Sequence, residues 1–284
     1  MIKKVKKSKI VLLIILFIIS SFISAHSTMA AANLDVSFID VGQGSSVLVR
    51  YNGKNTLIDT GDEKYYQKLK DYLSKKKIKR IDQLVITHNH PDHIGNADKI
   101  ISSYKVQTVI VSKYGYNKES STKDVKEFNQ EVKKHKVKTV KVKKGSKINF
   151  GGLLKGTVLS PGKNYTNTNK SSIVIRLVHE KNSFLFTGDI YSPNEKELAK
   201  KYNLKSTVLQ VSHHGSYTSS CSIFLKKVKP KYAVISCGKN NPYGHPRPEA
   251  VGRLQKYAKK IYRTDKNGTI TFCSSAKRIA VKKE

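Results

Sequence analysis

The chain has 284 residues, 38% hydrophobic and 26% charged, which supplies a core for one sizeable α/β or all-β domain and excludes a disordered tail or a collagen-like fibre. Lys and Arg number 54 against 20 Asp and Glu, and the formal charge of +34 draws polyanions or anionic membranes to the surface. Only seven of those 54 are Arg, the residue that bidentate phosphate readers favour, so a generally lysine-rich background competes evenly with a dedicated reader as the explanation.

Residues 1–9, MIKKVKKSK, carry five Lys and no acid; an apolar run from Ile10 to Ile23, broken by Ser20 and Ser21, leads into small residues through Ala32. That order predicts a secretory signal peptide over 1–32, and because the run is shorter than the ~20 apolar residues of a membrane span, an uncleaved anchor is the alternative. Either way the expected location is secreted or on the extracellular face of the cell envelope, with no transmembrane channel in this chain. Subtracting the five leader Lys leaves +29 on the expected hydrolase domain, 33–284. Cys221, Cys237 and Cys273 show neither CxxC nor zinc-ribbon spacing, so cysteine does not organise the chemistry.

From Leu34 the pattern is short β runs, then strands alternating with helices. Strands 35–39 and 46–51 flank the Gly42-Gln43-Gly44 turn, and Asn52-Gly53 makes a hairpin into 55–58. The spacing of Tyr65, Leu69, Tyr72 and Leu73 predicts a helix over 65–77, and 81–87 reads as a buried strand. Further helices are expected at 96–103, 122–135, 193–202, 219–227 and 246–257. Strands are expected at 108–111, 139–142, 147–150, 155–159, 173–178, 184–187, 207–212, 232–236, 269–272 and 278–281. The Asn-, Thr- and Ser-rich stretch 162–172 reads as a mobile loop. The whole implies an α/β (α+β) four-layer αββα sandwich whose loops at one edge carry function.

The strongest chemical signal is THNHPDH, Thr87 to His93, closing the apolar strand Leu84-Val85-Ile86. Imidazole and carboxylate suit Zn or Mn, and alternating residues of an extended segment point the same way, so His88 and His90 can share one ion while Asp92 and His93 face a second. Solvent-exposed loop histidines are the competing reading, but so many ligand side chains within one turn is not a packing pattern.

His88, His90, Asp92 and His93 form an HxHxDH that resembles the second motif of the metallo-β-lactamase superfamily. Leu57 to Gly61, LIDTG, is similar to its first motif, and Phe186 to Asp189, FTGD, to its fourth. The opening VSFIDVGQGSSVLV, then VSHHGSYTS from Val211, KPKYAVIS from Lys229 and YGHP from Tyr243, resemble one branch: the metallohydrolase domain of the ComEC/Rec2 DNA-uptake proteins and its secreted stand-alone relatives. The resemblance implies that His88 and His90 hold one metal, that Asp92 and His93 hold the other, and that Asp189 bridges them; a hard anionic oxygen between two divalent ions lowers their repulsion. Asp59 is expected behind the ligands as a hydrogen-bond acceptor, with a turn Asp as the alternative.

The third motif departs from the superfamily pattern. Where a metal-binding His normally precedes the strand into TGD, the sequence reads Asn167-Thr168-Asn169-Lys170-Ser171-Ser172; His135 ends a helix and His179 sits in a hairpin. The first site is then a ligand short, which argues for weaker or exchangeable occupancy. At His213-His214 one imidazole can ligate the second metal while the other faces substrate; His213 is expected as ligand and His214 as the phosphate or leaving-group contact, the sequence leaving the exchange open. His245 is a candidate for either role.

The expected function is therefore a secreted binuclear hydrolase holding two divalent ions, Zn2+ ahead of Mn2+, in which Asp92, His214, His245 and Asp59 serve the chemistry and DNA or another anionic polymer is the substrate. The rivals are a hydrolase of small-molecule or cell-wall phosphoesters, such as phosphocholine or teichoic acid, and a non-catalytic DNA-binding module; the chain is also a candidate for association with the cell surface. The intact THNHPDH and TGD weigh against the binding module. A β-lactamase is disfavoured because the ComEC-like motifs replace the usual third His.

Overall fold

Apolar side chains alternate along nearly every strand, and that alternation divides them between facing cores. In the first sheet Leu34, Val36 and Phe38 of β1 (Leu34–Phe38), Val47 and Val49 of β2 (Val47–Tyr51), Ile58 of β3 (Lys54–Ile58), Val85 of β4 (Arg80–Val85) and Ile110 of β5 (Lys105–Ser112) share one core, while Leu48, Leu57, Leu84, Val109 and Val111 join another. In the second sheet Ile175 and Leu177 of β9 (Val174–His179), Phe184 and Phe186 of β10 (Asn182–Phe186), Val208 of β11 (Val208–Gln210) and Val234 of β12 (Tyr232–Ile235) complete that shared core. Val174, Leu185, Leu209, Ala233 and Ile235 turn to the opposite face. The sheets thus lie face to face, and burying a Phe such as Phe184 or Phe186 between them contributes about 1.5–3 kcal/mol.

This is a computed structural model, and it describes residues 33–114 and 122–284. The signal-peptide expectation falls on 1–32 and lies outside the described residues. With β6 (Lys138–Val142), β7 (Lys147–Gly151), β8 (Leu154–Ser160), β13 (Lys260–Arg263), β14 (Ile270–Ser274) and β15 (Ile279–Lys283), the eight-stranded sheet has the order β15-β14-β1-β2-β3-β4-β5-β6 and the seven-stranded sheet β13-β12-β11-β10-β9-β8-β7. The outer face of the first sheet is covered by α1 (Tyr66–Lys75), α2 (Pro91–Ile94), α3 (Ala97–Ser103) and α4 (Lys123–Lys134), through residues such as Leu69, Leu73, Ile100 and Phe128. The second sheet is covered by α5 (Ser192–Lys201), α6 (Ser222–Val228) and α7 (Pro248–Tyr257) through Leu198, Phe224 and Leu254, and a single turn, α8 (Thr264–Asn267), precedes β14. This is the four-layer αββα sandwich. Among the described residues no helix is long and apolar enough to cross a membrane.

Three elements go beyond the expected list: the edge strand β13 and the short helices α2 and α8. The stretch 162–172 also differs from a mobile loop in its second half. Asn169, Ser171 and Ser172 are buried, residues 169–171 make a 3-10 turn, and Ile173 N donates to Thr87 O at 3.0 Å, so this segment is fastened to the histidine loop. Strands β3, β4 and β5 are parallel to one another, as are β10, β11 and β12, and the carboxyl ends of β3, β4, β10 and β11 lead into the polar cluster described next.

Candidate metal centre

From the first sheet, Asp59 directly follows β3 and is fully buried. Its carboxylate accepts hydrogen bonds from Thr87 N at 2.7 Å, from Thr87 Oγ1 at 2.8 Å and from His93 Nδ1 at 2.7 Å, so the corner after β3 sets the start and end of the His88–His93 loop. The glycine turn of the opening hairpin supports the same loop from behind. Ser45 N donates to Asp92 O at 3.0 Å, and Gly44, at φ +135, lies so close that a Cβ would come within 2.5 Å of that carbonyl. Thr60 N and Oγ1 both donate to His93 O, at 2.7 and 2.9 Å.

From the second sheet, Asp189 follows β10, and its N–H donates to Ser172 Oγ at 3.1 Å. The turn after β11 places His213 and His214 at φ 51 and 53, a left-handed backbone that costs roughly 1–3 kcal/mol per non-glycine residue. Glu195 of α5 holds this turn: it accepts from Ser212 Oγ at 3.0 Å, Ser220 N at 2.7 Å and Cys221 N at 2.8 Å. Burial pushes the Glu195 carboxyl pKa up despite those bonds.

The two halves meet where Asp92, His93, Asp189 and His214 bring one ligand atom each within 4.8 Å of one another. His93 Nε2 lies 3.2 Å from Asp189 Oδ1; His214 Nε2 lies 3.1 Å from Asp92 Oδ2, 3.4 Å from Asp189 Oδ2 and 3.3 Å from His93 Nε2. Both rings are oriented through their other nitrogen: His93 Nδ1 donates to Asp59, and His214 Nδ1 donates to Ser236 O at 2.8 Å. Each Nε2 therefore faces the centre. His88 Nε2 is 3.9 Å from Asp189 Oδ2 and has no hydrogen-bond partner among the described residues, and the His90 ring sits 4.8 Å from the His88 ring.

The geometry reverses the expected order of the adjacent histidines. His214 is buried in the cluster, whereas His213 is partly exposed, bonds through Nδ1 to Thr218 Oγ1 at 3.1 Å, and keeps Nε2 3.9 Å from Asp189. The reason is the left-handed turn: two successive residues in that conformation do not alternate as strand residues do. His245 stands farther out, its ring 5.6 Å from that of His213 and stacked on Tyr243 at 5.7 Å.

Charge in the cluster is strongly coupled. Burial disfavours an imidazolium at His93, but Asp189, Asp59 and Asp92 outweigh it and hold the pKa well above the ordinary value. The same contest, burial against Asp189 and Asp92, leaves His214 raised to about 10. Burial would lift the carboxyls of Asp92 and Asp189, yet His93 and His214 hold both below the usual range. His88 is driven well below its ordinary value by burial and then by His93, and His245 falls to about 4 through burial and the neighbouring His214 and His213. Carboxylate oxygens and imidazole Nε2 atoms converging on one point, beside a buried Nε2 with no partner among the described residues, are the donor set of a divalent cation.

Above the cluster opens a cleft of about 320 Å3, lined by His90, Asp92, Asp189, His213, His214 and His245 and by four residues to which sequence reasoning gave no role: Gln43, Asn169, Tyr191 and Tyr243. Gln43 Oε1 accepts from Gly238 N at 3.1 Å, while its buried Nε2 has no partner among the described residues. Three of the four had a signal. Gln43 lies in the GQG turn of the branch-like opening, Tyr243 begins YGHP, and Asn169 stands in the stretch that replaces the third motif.

Residues 39–239 match the metallo-beta-lactamase superfamily. The chain is 34% identical to ComE operon protein 3 of Bacillus subtilis over 258 residues, covering 84% of this chain and 33% of that protein. It is 32% identical to competence protein ComA of Neisseria gonorrhoeae over 243 residues, covering 84% of this chain and 32% of that one. It thus spans about a third of the length of these relatives. A metallo hydrolase from the hyperthermophilic archaeon Ignicoccus hospitalis superposes with a TM-score of 0.56 at 18% identity, over 84% of this chain and 98% of that one, which is a likeness of fold.

Proposed function

This chain belongs to the metallo-beta-lactamase superfamily and is by fold and centre a metal-dependent hydrolase, and we propose that it cleaves phosphodiester bonds, with DNA as its substrate. The observation that carries the reading is a single cleft, in a strongly basic chain, lined by the cation ligands Asp92, Asp189 and His214 together with Gln43, whose buried Nε2 has no hydrogen-bond partner among the described residues. The names of two relatives, a ComE operon protein and a competence protein, support a role in competence.

His88 and His90 would hold one ion, Asp92, His93 and His214 the other, with Asp189 reaching both; Zn2+ is the first choice and Mn2+ the second. When bound, the ions supply Lewis acidity at the phosphoryl oxygens and lower the pKa of a water. The remaining work belongs to side chains of this chain. Asp59 and Ser236 O hold the Nδ1 protons of His93 and His214, which keeps each Nε2 aimed at the centre. Gln43, fixed by Gly238, presents an N–H to a phosphoryl oxygen. The Tyr191 hydroxyl accepts from Asn169 at 2.7 Å, which leaves its own proton for the substrate. His213 at the mouth meets the leaving group, and His245, its pKa lowered to about 4, is neutral at pH 7 and serves as a hydrogen-bonding wall rather than a charge. Residues 1–32 would export the chain, and the surface lysines would gather DNA at the cleft.

The test is to load the purified chain with Zn2+ or Mn2+ and offer it duplex and single-stranded DNA, RNA, chromogenic phosphodiesters and phosphocholine or teichoic-acid substrates. Cleavage of DNA that disappears in Asp189→Ala supports the reading. Cleavage confined to the cell-wall substrates replaces DNA with that class, and DNA binding without cleavage under any metal replaces the enzyme with a binding module.

A further inference from the structure

We propose that Asn169 supplies, through Oδ1, the ligand that the missing third-motif histidine would have given to the first ion, beside His88 and His90; this rests on the hydrolase reading above. Asn169 is only 3% exposed, and its Nδ2 donates to the Tyr191 hydroxyl at 2.7 Å. The amide is thereby oriented, and Oδ1 is left without a hydrogen-bond partner among the described residues. An orphaned buried acceptor calls for a proton donor or a cation. A phosphoryl oxygen, itself an acceptor, cannot satisfy it. A cation does.

Placement agrees with that chemistry. The segment is tied to both halves of the centre: Ile173 N donates to Thr87 O at 3.0 Å, and Ser172 Oγ accepts from Asp189 N at 3.1 Å. Thr168 and Ser171 line a small cavity with Thr87 and His88, while Asn169 lines the main cleft with His90 and Asp189. The segment therefore runs past both histidines assigned to the first ion, and His88 Nε2 is itself buried and without a partner among the described residues. Replacing a borderline imidazole by a neutral, hard amide oxygen also carries a consequence for selectivity: the first site is tilted toward Mn2+ relative to a site with a third histidine.

The experiment uses the full chain and its Asn169→Ala, Asn169→Asp and Asn169→His variants, each loaded with Mn2+ or Zn2+ and cleared of excess ion. Metal per chain is counted by elemental analysis, Mn2+ pairing is followed by electron paramagnetic resonance, and folding is checked by thermal melting. The expected result is about two ions in the wild type and about one in Asn169→Ala, with the spectrum of an isolated Mn2+ replacing that of a pair. Asn169→Asp and Asn169→His keep both, and the His variant shifts its preference from Mn2+ toward Zn2+. If Asn169→Ala keeps both ions at wild-type affinity, or if Asn169→Asp loses one, the inference is overturned. Should the Ala variant not fold, the Asp and His variants decide it: retention of both ions with the metal preference exchanged supports Asn169 as ligand, and an unchanged preference overturns it. A wild-type chain that takes up no ion overturns the hydrolase reading and this inference together, an outcome distinct from the others.

Discussion

Metal uptake by the ion-free protein should expel protons in a number the geometry sets. Both His93 and His214 have Nδ1 engaged as a donor, to Asp59 and to Ser236 O, so the proton each loses to reach the ligating form is the one on Nε2, the atom facing the centre. With His214 raised to about 10 and His93 raised well above its ordinary value by Asp189, Asp59 and Asp92 against the opposing effect of burial, the pair carries between one and two such protons at neutral pH. Metal affinity should then rise about 10- to 100-fold per pH unit between pH 7 and 8, or roughly 1.4–2.7 kcal/mol per unit. Two ordinary imidazoles with pKa near 6.5 would together release only about 0.2 proton at pH 7.5. The assay is calorimetric titration with Mn2+ at several pH values in buffers of different protonation enthalpy. Asp59→Asn removes one of the carboxylates that lift His93 and should reduce the proton count. A release near 0.2 proton, with affinity flat across that range, would refute the reasoning. The sign for the ion-free fold follows from the same shift: the contribution of His214 to stability is complete below about pH 6.5 and is lost as pH rises through about 10.

Asp92→Ala and Asp189→Ala should each abolish phosphodiester hydrolysis while DNA affinity is kept, since losing a carboxylate makes the cleft more positive; cleavage and binding measured on the same samples check this. Binding to DNA should weaken steeply with salt and show little sequence preference, log K falling by roughly 0.9 per phosphate neutralised for each tenfold rise in salt, and a flat titration removes DNA as substrate. Phe186→Ala, which empties a fully buried site between the sheets beside Phe38 and Phe184, should cost about 3–5 kcal/mol by chemical denaturation. At Gly188, with φ +51, a Cβ would come within 2.9 Å of Ser172 Cβ, so Gly188→Ala should cost roughly 1–3 kcal/mol and weaken metal binding through the displaced Asp189.

The layered fold was legible because two-sided burial writes itself into sequence as apolar runs such as Leu84-Val85-Ile86 and Phe184-Leu185-Phe186, and the histidine loop because its ligands are adjacent in the chain. Strand β13, Lys260-Ile261-Tyr262-Arg263, was not, since a four-residue edge strand flanked by charges has neither length nor a clean alternation. Helix α2 was hidden inside the metal motif, where Pro91 reads as part of a loop but serves as the first residue of a helical turn. The order of His213 and His214 depends on two left-handed residues fixed by Glu195, a residue whose contacts lie 17 to 26 positions away in sequence, and no local pattern reports that. Asn169 was visible only as a gap in a motif; what fills the gap is a matter of which side of its amide Tyr191 engages.

The centre is shared across the seam of the sandwich. Asp92, His93 and the supporting Asp59 come from the eight-stranded half, Asp189 and His214 from the seven-stranded half. Neither half alone offers a full coordination set, so an ion has its high-affinity seat only when both are docked in register, and it acts as a rivet driven through the two layers. Such an ion favours the assembled chain over the unfolded one by mass action, adding about 1.4 kcal/mol for each tenfold excess over its dissociation constant. The same event that arms the site would thus lock the architecture around it.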